Sequence, residues 1–269
     1  MKLLAALALT VISAAAFAAS PEAYDKKVRQ DPFYDGIVAT AKRLSGRKMV
    51  EYLNTQMAQD ATRVPVVSLW LRENSVDEDD ARRLQSLYFL SYSDTLQAMA
   101  EGARDAGDPG GYRDLVQTAM LNLYLFEITA GVDAARCQDK TAREAVGRMV
   151  DSRFEQIRTA YRAFPRSVFD EMEKTALRHE DKFLARSPNA DICTYGKAYV
   201  IDLAKTPGVE RKSVPDPLAE GGKRLTLIAP AGYNYVPGFV SDAQWLEARK
   251  AAIAEISKRW AQRYAAAIR

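Results

Sequence analysis

The segment YRDLVQTAMLNLYLFEITA, residues 112–130, decides the fold. When it is drawn as a helix with 3.6 residues per turn, nearly every side of the helix is apolar. Its apolar residues are Leu115, Val116, Ala119, Met120, Leu121, Leu123, Leu125, Phe126 and Ile128. A helix that is apolar all round has no face for water and lies in the middle of a bundle. The segment therefore predicts an all-α fold built around this helix.

Other helical patterns flank this segment on both sides. Ser75 with Glu78, and Ser241 with Gln244, have the spacing of N-terminal capping boxes. The predicted helices cover residues 35–59, 76–106, 112–130, 139–164, 166–186, 195–205, and 242 to the C-terminus. The first of them has a weak point at Gly46, and a short piece at 66–72 is left unclassified. No repeat or flexible linker divides them. We expect an irregular bundle of about seven to eight helices in a single domain, residues 19–269.

The two cysteines of the chain, Cys137 and Cys193, flank a pair of predicted helices joined at Pro165. Two antiparallel helices of similar length return their outer ends to the same level, because each residue adds about 1.5 Å of rise. This geometry predicts a disulfide that closes a helical hairpin. The alternatives are a redox pair or free thiols, but no Cys-x-x-Cys spacing is present.

The N-terminus has the pattern of a secretory signal peptide. Lys2 gives a positive start, residues 3–12 are apolar, and Ala16 and Ala18 form a small-x-small cleavage site. We expect residues 1–18 to be removed and the protein to be periplasmic or secreted, where disulfides persist. The alternative is a buried N-terminal helix. Asn122 and Glu127 interrupt the longest later apolar run, so membrane contact is not expected after removal of the leader.

The charge and motif content excludes several classes of function. A formal net charge of +3, from 38 basic and 35 acidic residues, does not indicate a nucleic-acid-binding face. His179 is the only histidine, and Phe183 stands where a helical zinc motif needs its second histidine. Phosphate-binding glycine loops and serine nucleophile elbows are absent from the sequence. We expect no metal and no cofactor.

A long segment rich in proline and glycine, residues 206–240, precedes the last helix. Segments of this length without structure are unusual in compact domains and are often functional. The sequences RLTLI and YNYV flank APAG, which predicts a short β-hairpin, with an irregular loop as the alternative. Tyr233, Tyr235 and Phe239 lie at its end, where exposed aromatic residues beside glycine and proline suit recognition, although they also suit packing over the bundle.

Two hypotheses about function follow. The first is non-enzymatic binding of an unknown periplasmic protein or small ligand. It rests on the missing catalytic motifs and on aromatic residues suited to binding, which are Tyr88, Tyr92, Tyr124, Tyr233, Tyr235 and Phe239. The first three of these lie at helical spacing, a pattern that equally suits the core. The second hypothesis is a peptidoglycan hydrolase with Glu127 as general acid, because burial in an apolar helix raises a carboxyl pKa. The alternative for Glu127 is an ion pair with arginine.

Overall fold

The computed structural model describes residues 21–75, 85–162, 164–184, 186–215 and 223–268. The predicted signal peptide lies outside these ranges, as does Glu78. Within them the chain forms eleven α-helices and one two-stranded sheet. The helices are α1 (Pro21–Arg29), α2 (Pro32–Ala41), α3 (Gly46–Gln59), α4 (Val64–Asn74), α5 (Ser86–Asp105), α6 (Pro109–Arg136), α7 (Thr141–Tyr161), α8 (Arg166–Lys182), α9 (Ala190–Cys193), α10 (Lys197–Lys205) and α11 (Asp242–Ala267), and the strands are β1 (Glu210–Pro215) and β2 (Lys223–Ile228).

Helix α6 is the centre of the fold, as the sequence predicts. It packs against α5, α7, α8 and α11, and the side chains of Met120, Leu123, Phe126 and Ile128 are completely buried. By length and hydropathy alone α6 is the one helix among the described residues that could cross a membrane, but 78% of its most apolar window is buried inside the protein. Its apolar character is therefore that of a core helix.

The described residues contain two main hydrophobic clusters. The larger surrounds α6, and the smaller joins α1 to α4 to one side of α5 around Trp70. Helix α5 connects the clusters, because Phe89 belongs to the larger one whereas Tyr88 and Tyr92 belong to the smaller one. This shared helix holds the N-terminal helices onto the bundle.

The bundle has more helices than predicted, partly because a glycine divides one predicted helix. Gly46 has a φ of +52°, which only glycine adopts without strain, and a Cβ there would overlap the Asp191 carboxylate. The predicted helix over 35–59 is therefore two helices, α2 and α3. Ser75, which the sequence predicts to cap a helix starting at Val76, ends α4 and donates its N–H to the Leu71 carbonyl over 2.9 Å. The residues that follow it, 76–84, lie outside the described ranges.

The disulfide between Cys137 and Cys193 is present and buried, with the two Cα atoms 5.7 Å apart. The hairpin between them differs from the prediction in its packing, because α7 and α8 each pack mainly on α6 rather than on each other. An all-apolar α6 offers both helices more apolar surface than either offers the other. Cys193 lies on α9, a short helix that follows α8 after the segment 186–189.

The predicted β-hairpin has the wrong partner strand. β2 contains the predicted RLTLI, but it pairs antiparallel with β1, in a register that runs from Glu210 opposite Ile228 to Pro215 opposite Lys223. We call this pair the ribbon. The YNYV sequence, 233–236, is not a strand, since its aromatic side chains are held by α10 as described below.

Candidate functional site

Residues 229–240, which we call the aromatic loop, are fixed across the disulfide end of α6. The Val240 N–H donates to the Arg136 carbonyl and the Gln138 N–H donates to the Gly238 carbonyl, each over 2.9 Å. Phe239 forms an isolated β-bridge with Cys137. The loop is therefore attached by its main chain to both neighbours of a disulfide-bonded cysteine.

The two tyrosines of the aromatic loop pack on α10. The Tyr199 ring lies 6.1 Å from that of Tyr233 and 5.2 Å from that of Tyr235, between ring centroids. The Tyr233 hydroxyl donates to the Asp202 carboxylate over 2.7 Å, and desolvation together with this hydrogen bond raises the pKa of Tyr233. These predicted recognition residues thus position the loop, whereas Val236 beside them is 78% exposed.

Helix α10 is held in turn by residues just after Cys137. The Asp139 carboxylate accepts the Ala198 N–H over 2.7 Å, and the Thr141 hydroxyl accepts the Lys197 N–H over 2.8 Å. Both donors lie in the first turn of α10, where N–H groups have no partner within the helix. Burial alone would raise the pKa of Asp139, but hydrogen bonds from Ala198 and Thr141 and the charge of Lys197 lower it.

The surface built in this way exposes aliphatic side chains. We call it the ribbon surface: the outer face of α10, the ribbon and the aromatic loop. Leu225 is 65% exposed and Val236 is 78% exposed. Of the nine exposed large hydrophobic residues in the described ranges, five lie on these three segments: Val200, Ile201, Leu225, Ile228 and Val236. Clustered exposed apolar side chains mark interaction sites.

The other three predicted binding tyrosines lie inside the protein. The ring of Tyr88 packs against Trp70 with centroids 5.3 Å apart, and the ring of Tyr124 stacks on Trp260 at 4.5 Å. Tyr92 is buried in the same cluster as Tyr88. The structure does not bring these tyrosines to the aromatic loop, so a binding role for them stays a prediction.

Glu127 is completely buried and paired with two arginines. Its carboxylate oxygens lie 2.9 Å from Arg259 Nη2 and 2.5 Å from Arg263 Nη1, and Arg263 also reaches Asp151 at 2.6 Å. A general acid must hold a proton and reach its substrate, whereas this carboxylate is enclosed between cations. The geometry gives the hydrolase hypothesis no support, and that hypothesis stays a prediction from sequence.

A second buried network of ion pairs, which the sequence did not predict, is centred on Arg186. Arg186 Nε lies 2.8 Å from the Asp133 carboxylate and Arg186 Nη1 lies 3.0 Å from the Glu180 carboxylate, while Arg249 also pairs with Glu180. These groups connect α6, α8 and α11 close to the disulfide. The charged Asp133 in an apolar helix was the available signal, but its partner lies 53 residues further along the chain.

A groove of about 320 Å³ lies between α6 and α8. Its lining residues are Gln117, Thr118, Leu121, Ser167, Val168, Glu171, Met172 and Thr175. This volume is near the lower limit for small-ligand sites. From Gln117 to Cys137 the helix rises about 30 Å, so the groove is distant from the ribbon surface.

The described residues contain no group of three or more histidine, cysteine, aspartate or glutamate side chains that could hold a metal ion. His179 lies between the rings of Phe89 and Phe183, with centroids 5.3 and 4.7 Å away. Burial lowers its pKa to about 4. It is therefore neutral at ordinary pH and packs between two aromatic rings.

Comparison with known proteins gives no match to this chain among family models, curated proteins or solved structures.

Proposed function

We propose that this chain is a non-enzymatic binding protein of the periplasm that binds a partner protein through the ribbon surface. The observation that carries the proposal is the concentration of exposed aliphatic residues on this surface, with Leu225 and Val236 the most exposed. Leaving such side chains in water is unfavourable by about 25 cal/mol per Å². A partner that covers them recovers this free energy.

The scaffold under these side chains favours binding without large rearrangement. The aromatic loop is bonded to the residues on both sides of Cys137, and α10 is bonded to Asp139 and Thr141. A surface that is already fixed loses little conformational entropy on association.

The oxidising compartment is supported by the buried disulfide, because such bonds persist in secreted and periplasmic proteins. Export to the periplasm or beyond it rests on the leader pattern in residues 1–18. Protein purified from the periplasm should begin at Ala19 and should weigh two hydrogens less than its reduced form. An intact mass that retains residues 1–18 would contradict this assignment.

Site-specific photo-crosslinking in cells tests the binding function. A photoreactive amino acid at Val236 or Ile201 should give a discrete cross-linked species, whereas the same amino acid at Leu246, which is 45% exposed on α11, should not. The Leu225→Asp substitution should remove the species formed from Val236. Equal cross-linking from Leu246, or none from Val236 and Ile201, would contradict the proposal.

The groove between α6 and α8 supports a second candidate, binding of a small ligand. Leu121, Val168 and Met172 give it an apolar floor, and polar side chains surround them. Native mass spectrometry of protein purified from the periplasm should then show an added small mass that the Leu121→Trp substitution removes. Unmodified protein alone in both samples would contradict this candidate.

A further inference from the structure

Strand β1 is the exposed edge of the ribbon. Glu210, Arg211, Lys212 and Ser213 are all exposed, and α10 packs against β2. Within the described part of the chain, no main-chain group other than those of β2 forms a hydrogen bond with β1. The outer edge of β1 therefore carries main-chain donors and acceptors that another strand can pair with.

Such an edge is a template for strand addition. An unpaired strand edge in a small sheet binds an extended polypeptide through main-chain hydrogen bonds, while side-chain pairs across the two strands provide specificity. A two-stranded ribbon is also marginally stable by itself, and a third strand stabilises it. The edge of β1 suits a protein segment better than it suits a membrane, because lipid headgroups provide no matching row of donors and acceptors.

The charges of the ribbon indicate what that segment contains. Arg211 and Lys212 are adjacent in β1, so their side chains point to opposite faces, and neither forms an ion pair with a described residue. Arg211 lies opposite Leu227 and shares its face with the exposed Leu225. Opposite charges that face each other across two strands stabilise the pair. An added strand with carboxylates at successive positions, followed by an apolar residue, complements this edge.

We infer that the partner protein presents an extended acidic segment that adds to β1 as a third strand. This inference rests on the proposed function and specifies the chemistry of the partner. It places main-chain pairing along residues 210–214 and places carboxylates of the partner opposite Arg211 and Lys212. The exposed aliphatic residues of the ribbon surface then cover the apolar side chains of the same segment.

The test uses the secreted, disulfide-bonded chain and fluorescent peptides of about ten residues, long enough to cover one strand. The first peptide repeats the unit Glu-Glu-Val, which places carboxylates on both faces of the strand. The second has proline in place of two of its valines, and the third has lysine in place of glutamate. Fluorescence anisotropy at low salt measures binding. The first peptide should bind, whereas the second should fail because proline cannot donate to a strand ladder, and the third should fail through charge repulsion.

Two charge-reversed variants complete the design. The double substitution Arg211→Glu/Lys212→Glu should lower the affinity for the acidic peptide about ten-fold, since two favourable cross-strand pairs become repulsive. The matched control is Lys26→Glu/Lys27→Glu, which reverses two adjacent exposed residues of α1. It should change the affinity less than about two-fold, as expected of surface charges far from a contact.

Several outcomes would overturn the inference. Equal binding of the proline peptide would mean that charge alone acts, and absence of binding by the acidic peptide would exclude strand addition. If the wild type forms a dimer and Arg211→Glu/Lys212→Glu abolishes it, the edge binds a second copy of the chain. If the protein binds vesicles of anionic lipid and does not bind the peptide, the edge binds a membrane. If the photoreactive amino acid at Val236 gives a cross-linked species, any of these results overturns strand addition and leaves the proposed function intact. If it gives none, both the proposed function and strand addition are contradicted.

Discussion

Removal of the disulfide should destabilise the protein strongly without changing its fold. The substitutions Cys137→Ala and Cys193→Ala open a covalent loop whose ends are 56 residues apart in sequence. Without the bond the unfolded chain has more conformational entropy, which lowers the free energy of unfolding by about 4 kcal/mol at 25 °C in the chain-entropy treatment. A domain of this kind has a free energy of unfolding of about 5–15 kcal/mol. The double variant should therefore fold but lose a quarter or more of its stability.

Urea unfolding followed by circular dichroism measures the effect. The midpoint should fall, and the slope of the free energy against urea concentration should rise, because an unfolded chain without the covalent link exposes more surface. Wild-type protein reduced with dithiothreitol is the matched control, since it keeps both sulfur atoms and lacks only the bond. A loss below about 1 kcal/mol in both samples would refute the reasoning from loop entropy.

Three further predictions concern single side chains. Glu127→Gln should lower the free energy of unfolding by about 3 kcal/mol, because it leaves the buried Arg263 with one charged partner fewer. A stability equal to that of the wild type in urea unfolding would contradict this. Asp139→Asn should lower the melting temperature at pH 7, and it should lower it less at pH 3. The lowered carboxyl pKa of Asp139 gives stability that is present above about pH 4 and is lost progressively as the pH falls through the folded value. A melting-temperature difference between variant and wild type that does not shrink at low pH would oppose it. Gly46→Ala should lower the free energy of unfolding by about 1–2 kcal/mol, because Gly46 has a positive φ and an added Cβ overlaps Asp191. A melting temperature in calorimetry that does not decrease would exclude this strain.

The sequence by itself determined the parts of this protein that depend on local pattern. The all-round apolar character of residues 112–130 predicted the buried central helix, since such a segment is buried in a protein core or in a membrane and Asn122 and Glu127 interrupt its apolar run. The capping pair of Ser241 and Gln244 predicted the start of the last helix, and both of its hydrogen bonds are present. The spacing of two cysteines around two helices predicted the disulfide, because two antiparallel helices of similar length return their outer ends to the same level, although both helices pack mainly on α6.

Only the tertiary structure decided where the aromatic loop lies and which charged residues meet. Phe239 pairs with Cys137, and Asp139 caps a helix that begins 58 residues later, at Lys197. Glu127 meets Arg263, 136 residues away. Helical periodicity and turn propensity are set by near neighbours, whereas these contacts depend on which surfaces the packed bundle brings together. The same reason explains the wrong β-hairpin, because β2 pairs with β1 and the Tyr233 hydroxyl donates to Asp202 on α10.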